Sequence, residues 1–183
     1  MYSRDDLKKT LMLHKLWLKS NGSQGERADL SGADMSTADL FNANLKHANL
    51  SDANLSDSNL TAADLSGADL SGAILNDADL TAANLSDANL RRAELYNANL
   101  RGAKLTGADL TGANFERANL SNANLTGADL DAAYLGDANL TGANLTNVLL
   151  ARTILDGAIG LKESVVSRKL LEARIRRLLK KNL

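Results

Sequence analysis

The sequence predicts an all-β solenoid in which very short extended segments alternate with turns, with a helix at each end. Three observations predict it. A large apolar residue returns at every fifth position from Leu30 to Leu155 without a slip, as in ADLSGADLSGAILNDADLTAANLSDANL between Ala63 and Leu90. Aromatic residues number only one Trp, two Phe and three Tyr, so the interior must be built from Leu and Ala. Charge is segregated: residues 28–157 hold 17 acids and 7 bases, whereas the two flanks together hold 5 acids and 14 bases.

Residues 1–27 are expected to form a helical cap and a linker. Ser3 and Asp6 make a capping box. The helix that follows runs to about Lys19, with Leu7, Leu11, Leu13, His14, Trp17 and Leu18 on one arc and Lys8, Lys15 and Lys19 opposite. Asn21-Gly22 is a stop signal.

Residues 28–157 form the array. Of 26 units centred on multiples of five, 24 have Leu at the centre, with Met35 and Phe115 the others. Two residues earlier stands Ala in 23 units, the exceptions being Ser58, Val148 and Thr153, and between them Asp or Asn in 20. A period of five makes no stripe on an α-helix, where each step drifts about 140°. Along a strand it would throw alternate leucines to opposite faces. Within one unit, however, Ala and Leu are two apart and share a face if the chain is extended, and the small polar pair that follows is turn chemistry.

The A(D/N)LXX unit resembles the signature of the pentapeptide repeat family, and the stretch LHKLWLKSNGSQGERADLSGAD resembles leader segments that precede the repeats in that family. The resemblance implies a right-handed quadrilateral parallel β-helix with four units per coil. Twenty-six units would then make about six and a half coils, a column roughly 31 Å long at ~4.8 Å per coil. Leu50, Leu70, Leu90, Leu110, Phe115 and Leu130 are expected in its core.

Residues 158–183 are expected to form a basic amphipathic helix from Leu161 to Lys181. Leu161, Val165, Leu171, Ile175, Leu178 and Leu179 lie on one arc, with eight Lys/Arg elsewhere. Column ends are apolar and unpaired, so both terminal helices read as caps, the second alternatively as a dimerisation element.

No enzyme is expected. His14 falls on the apolar arc, His47 on an outward position, and no Ser-His-Asp set, metal cluster or phosphate loop is present. There is no Cys for a disulfide or a thiolate site. Neither a signal peptide nor a run of 18 apolar residues occurs, so the expected place is the cytoplasm. No cofactor, metal or direct nucleic-acid contact is expected.

Information must lie on the outside. With four units per coil, residues twenty apart stack. The side of centres Leu30, Leu50 and onward then sums to −3, the side of Met35, Leu55 and onward to −6, and the third and fourth to −1 and 0. The second side carries Asp34, Asp57, Asp77, Glu94, Glu116, Asp137 and Asp156, a candidate acidic face. Ile74, Tyr134, Leu149 and Ile154 occupy positions that usually hold Asp or Asn. With Leu171, Ile175 and Leu178, the last three make a candidate packing or homodimer surface at the C-terminal end. The main expectation is a protein-binding scaffold with an unknown partner. Some family members bind DNA gyrase or topoisomerase IV as DNA mimics, and the resemblance makes that the alternative. The purity of the repeat leaves a third, a regular or engineered array with no specific partner.

Overall fold

Every five residues the chain takes a two-residue turn, which leaves three residues between turns and room for one bridging residue. In the computed structural model, which describes residues 3–161, that residue is the one before each apolar centre. It pairs in parallel with the residue twenty later: Asp29 with Asn49, Asp34 with Asn54, Asp39 with Asn59, Asn44 with Asp64, and onward to Asn139 with Ile159. A register of twenty against a repeat of five gives four turns and four bridges to a coil. The expected short strands are therefore reduced to single-residue bridges among the described residues, because the next turn interrupts each ladder after one step.

One unit shows why the array is stable. Leu50 N–H donates to Asp69 O (2.7 Å) and Asp52 N–H to Ser71 O (2.9 Å), both in the next coil. Asn49 N–H donates to Ala28 O in the coil before (2.9 Å), and Ala48 N–H closes the preceding turn on Leu45 O (2.9 Å). The fifth donor, Ser51 N–H, goes to the side chain of Asn49 (3.2 Å). All five backbone donors are satisfied, as buried or half-buried amides require. The Asp or Asn before each centre is thus part of the turn, an Asx acceptor for an amide that the coil cannot otherwise pair.

The second turn residue has positive φ in 25 of 26 units, Arg152 being the exception. That conformation favours Gly, Asn and Asp, the types most often found there. At Gly72 (φ 67°) a Cβ would fall on the carboxylate of Asp52, one coil earlier. Glycine there supplies space as well as backbone freedom.

Inside, from Leu45 to Leu140, the Ala and Leu side chains interlock with at most 1% exposure. Leu50, Leu70, Leu90, Leu110 and Phe115 are 0% exposed and Leu130 is 1%. At the N-terminal end α1, Arg4–Lys19, is capped by Ser3, whose Oγ accepts from Asp6 N–H at 3.0 Å. Leu7 and Leu11 pack against the core, and His14 is buried while Met12 and Leu16 face out. The turn after α1 closes through Gly22 N–H to Trp17 O (2.8 Å).

At the other end the column continues past the expected boundary at 157. Ile159 bridges Asn139, and its N–H donates to Ala138 O at 3.0 Å. The backbone can pair there although Gly160 stands where a Leu centre would be. Val148, Leu150, Leu155, Ala158 and Leu161 are only partly buried against the core. The expected second helix, with Leu171, Ile175 and Leu178, lies outside the described residues.

Candidate interaction face

Once the Asx turns are assigned, the carboxylates of the array, Glu94 apart, divide into two groups. Asp29, Asp34, Asp39, Asp64, Asp69, Asp79, Asp109 and Asp129 stand before a centre and accept from the N–H two residues on. Asn amides one coil later often donate to the same oxygen, as Asn49 does to Asp29 (2.9 Å) and Asn89 to Asp69 (2.9 Å). These acids serve the fold. Asp52, Asp57, Asp77, Asp87, Glu116, Asp131, Asp137 and Asp156 stand in the turn pair instead, where no such bond requires a carboxylate.

Five of those eight are on the second side. Its seven candidate acids occupy three stacked rows: Asp34 and Glu94 before the centre, Glu116 and Asp156 first in the turn, and Asp57, Asp77 and Asp137 second. All but Asp34 are exposed. Asp34 is the most structural member, since the hydroxyl (2.8 Å) and N–H (3.2 Å) of Ser36 hold its carboxyl below the usual carboxylate range. Asp77 accepts from Asn97 Nδ2 (2.6 Å) and Glu94 from Asn114 Nδ2 (2.9 Å), both from the next coil.

The same side carries the apolar exceptions. Ile74 bridges Glu94, Glu94 bridges Asn114, Asn114 bridges Tyr134, and Tyr134 bridges Ile154, so these residues form one row along it. Ile74 is 39% and Tyr134 51% exposed, whereas Ile154 is partly buried. In mid-column, Arg117 Nη1 donates to Tyr96 Oη (2.7 Å) and its guanidinium lies over that ring, 5.7 Å from the centroid. This pair interrupts the acidic rows with a held cation. Where Glu94 replaces the Asx acceptor, Tyr96 N–H finds Asn76 Oδ1 of the coil before (2.9 Å). Sequence reading missed the Arg117–Tyr96 contact and the Asn76 substitute; residues 20 or 21 apart with long or amide side chains are the signal for both.

The first side is organised differently. Arg91 pairs with Asp109 at 3.1 Å. Arg152, the one unit lacking the positive φ, clamps Asp131 through its guanidinium and its own N–H. Leu149, on this side, is 58% exposed. Hydrogen bonding from Arg152 holds the Asp131 carboxyl below the usual range.

His14 is not set up as a ligand. Its Nδ1 accepts from Ala28 N–H (3.1 Å), its ring stacks on Trp17 at 5.7 Å, and burial pushes its pKa down. Its Nε2 makes no hydrogen bond, although the Lys46 carbonyl is near enough to oppose that shift. His47 is exposed. Among the described residues no cluster of three His, Cys, Asp or Glu could hold a metal ion, and no helix is long and apolar enough to cross a membrane.

The family model for pentapeptide repeats matches this chain in eight copies, over residues 21–45, 38–77, 73–112, 98–135 and 133–159. Among solved structures the chain is similar to HetL, a pentapeptide repeat protein involved in heterocyst differentiation regulation from the cyanobacterium Nostoc. The identity is 28%, covering 79% of this chain and 94% of that one, with a TM-score of 0.39. A pentapeptide repeat protein from the Arabidopsis thaliana thylakoid lumen is 32% identical, covering 66% and 67%, with a TM-score of 0.42. QnrB1, a plasmid-mediated fluoroquinolone resistance protein, is 18% identical, covering 81% and 93%, with a TM-score of 0.45. No curated protein matches the sequence.

Proposed function

The chain belongs to the pentapeptide repeat family, and on that premise we propose that it is a non-enzymatic protein-binding scaffold whose second side is the binding face. The right hand of the coil and a place in a bacterial cytoplasm are part of the same reading. One observation carries it. On that side, acids that the turns do not require stand beside exposed Ile74 and Tyr134. Protein interfaces combine an aromatic or apolar centre with a polar rim in this way. The complementary partner presents bases around an apolar contact.

Mimicry of duplex DNA toward gyrase or topoisomerase IV is the second reading, favoured by the concentration of net negative charge on two adjacent sides. Magnitude weighs against it. Duplex DNA carries a charge every ~1.7 Å, about 18 over a column of this length, whereas the array has a net charge of −10. Arg91, Arg92, Arg101 and Arg117 also sit in its middle coils.

The test is a photo-crosslinking amino acid at position 134 in cells, compared with one at position 104 on the fourth side. The scaffold reading expects a discrete adduct with another protein from position 134 alone. Equal adducts from both positions, or none, would overturn it. A supercoiling assay separates the readings. Mimicry predicts inhibition that is lost when Asp57, Asp77 and Asp137 become Asn, and the scaffold predicts none.

A further inference from the structure

On the second side, one turn carries a glycine that its backbone does not need. Gly136 is the first turn residue after Leu135, and of the 13 glycines it alone lacks a positive φ. A Cβ there would stand 3.6 Å from Glu116 Cγ and 3.8 Å from the Asp156 carbonyl oxygen, which is ordinary contact. Neither conformation nor crowding calls for glycine. Its effect is a notch, with Glu116 one coil before and Asp156 one coil after. Tyr134, two residues earlier, is 51% exposed, and Asp137, the next residue, is exposed as well.

The chain also carries an element of complementary chemistry. Leu7, Leu11 and His14 hold α1 against the column. Lys8, Met12, Lys15, Leu16 and Lys19 then share an outer arc of about 100° at 3.6 residues per turn. All five are exposed, Met12 by 58% and Leu16 by 42%. The helix has a net charge of +3, against −6 for the second side. It sits at the first coil, and Gly136 lies about 24 Å away, five coils on at ~4.8 Å each. The helix of one chain therefore cannot reach the notch of the same chain. We propose that α1 of a second copy docks on the second side, with Met12 in the notch at Gly136 and against Tyr134. Lys8, Lys15 and Lys19 then lie over Glu116, Asp137 and Asp156. The proposal rests on the proposed function for which side binds, and it names an occupant of that side, a basic helix with an apolar middle. Two different surfaces meet, so the contact builds rings or open chains rather than a closed pair.

The experiment is sedimentation velocity of the full chain at low salt over a series of concentrations. Species beyond the dimer are expected to grow with concentration and to dissociate in about 1 M salt, where the screening length shrinks to ~3 Å. Gly136→Gln fills the notch and should abolish them without lowering the unfolding midpoint. Lys8→Glu with Lys15→Glu should abolish them too, as should Glu116→Lys with Asp137→Arg. Arginine suits the positive φ of Asp137 (55°), since Arg117 adopts 60°. Mixed together, the two charge-reversed chains should associate again, because each α1 then meets charges of opposite sign. A chain that stays monomeric, association that survives Gly136→Gln, or mixing that restores nothing would each overturn the proposal. An equal loss from Asp87→Arg, on the fourth side, would do the same. A monomer that still gives a position-134 adduct with another protein removes this proposal alone. Association as expected, with position-134 adducts only to a second copy, removes only the reading of a separate partner.

Discussion

Replacing Ser58 with Ala is expected to stabilise the column by about 1–3 kcal/mol, the cost of a buried hydroxyl left without a partner. Ser58 is 1% exposed, and its Oγ makes no hydrogen bond. The same unit position is Ala in 23 of 26 units, and one coil on Ala78 is 0% exposed, so the site is already alanine-sized and loss of the oxygen opens little cavity. The backbone of Ser58 is untouched by the change: its carbonyl still accepts from Asp79 N–H (2.9 Å). The reverse substitution, Ala78→Ser, should cost about the same 1–3 kcal/mol. Denaturant unfolding measures both, the midpoint moving while the slope stays constant. Repeat arrays are stabilised unit by unit, so slower amide exchange at Asp79 in Ser58→Ala gives a local reading. An unchanged or lower midpoint would refute the reasoning, for it would mean that the hydroxyl has a partner such as a buried water.

Burial depresses the pKa of His14 from 6.5, so stability from its neutral form is complete above that unfolded value and is lost as pH falls from there through the lower folded value. Acidification from about 7.5 to about 5 should therefore lower the protection of the Ala28 amide, its exchange rate being compared with that of the unfolded chain at the same pH, and this loss of protection should vanish in His14→Leu whatever its absolute stability. Gly72→Ala should destabilise by about 1–2 kcal/mol for the left-handed backbone. In a double-mutant cycle with Asp52→Ala the two changes should be non-additive by about 0.5 kcal/mol or more, and strict additivity would show that the Asp52 carboxylate simply moves aside. Arg152→Ala should let the Asp131 pKa rise toward its ordinary value, read by NMR titration, and should speed exchange of the Ile154 amide, with Asp131→Asn reproducing the second effect.

The core was legible because burial and turn chemistry repeat together. Each Leu centre is marked by the Ala before it and the small polar pair after it, and Leu50 through Leu130 are buried. The bridges were less legible. Extended conformation at Ala and Leu is all that the unit spacing implies, and only the backbone count shows that one residue per unit pairs. The sum over each side counts all carboxylates as equal, because the Asx bond of the Asp or Asn before each centre is invisible in the unit spacing. Asp34, tied to Ser36, and Asp137, free of such a turn bond, contribute unequally to any face. Contacts such as Arg117 on Tyr96 escape a reading in fives because they depend on a residue in one coil and another just past its stacked equivalent. The boundary at 157 was drawn where Leu centres stop, yet bridging at Ile159 is a backbone property that needs no centre.

The twenty-residue register ties length to orientation. A gain or loss of one unit, fifteen nucleotides of coding sequence, would leave the Leu interior and the amide ladder intact. Everything beyond the change would nevertheless swing by one corner. Excising one unit near Leu85 would carry Tyr134 and Asp137 off the side of Asp57 and Asp77 and onto its neighbour, splitting the acidic row without a single substitution. Four such steps, one whole coil, would restore the pattern. Surfaces of this architecture can therefore be rewritten by slippage of a short DNA repeat, with foldability conserved and recognition reshuffled.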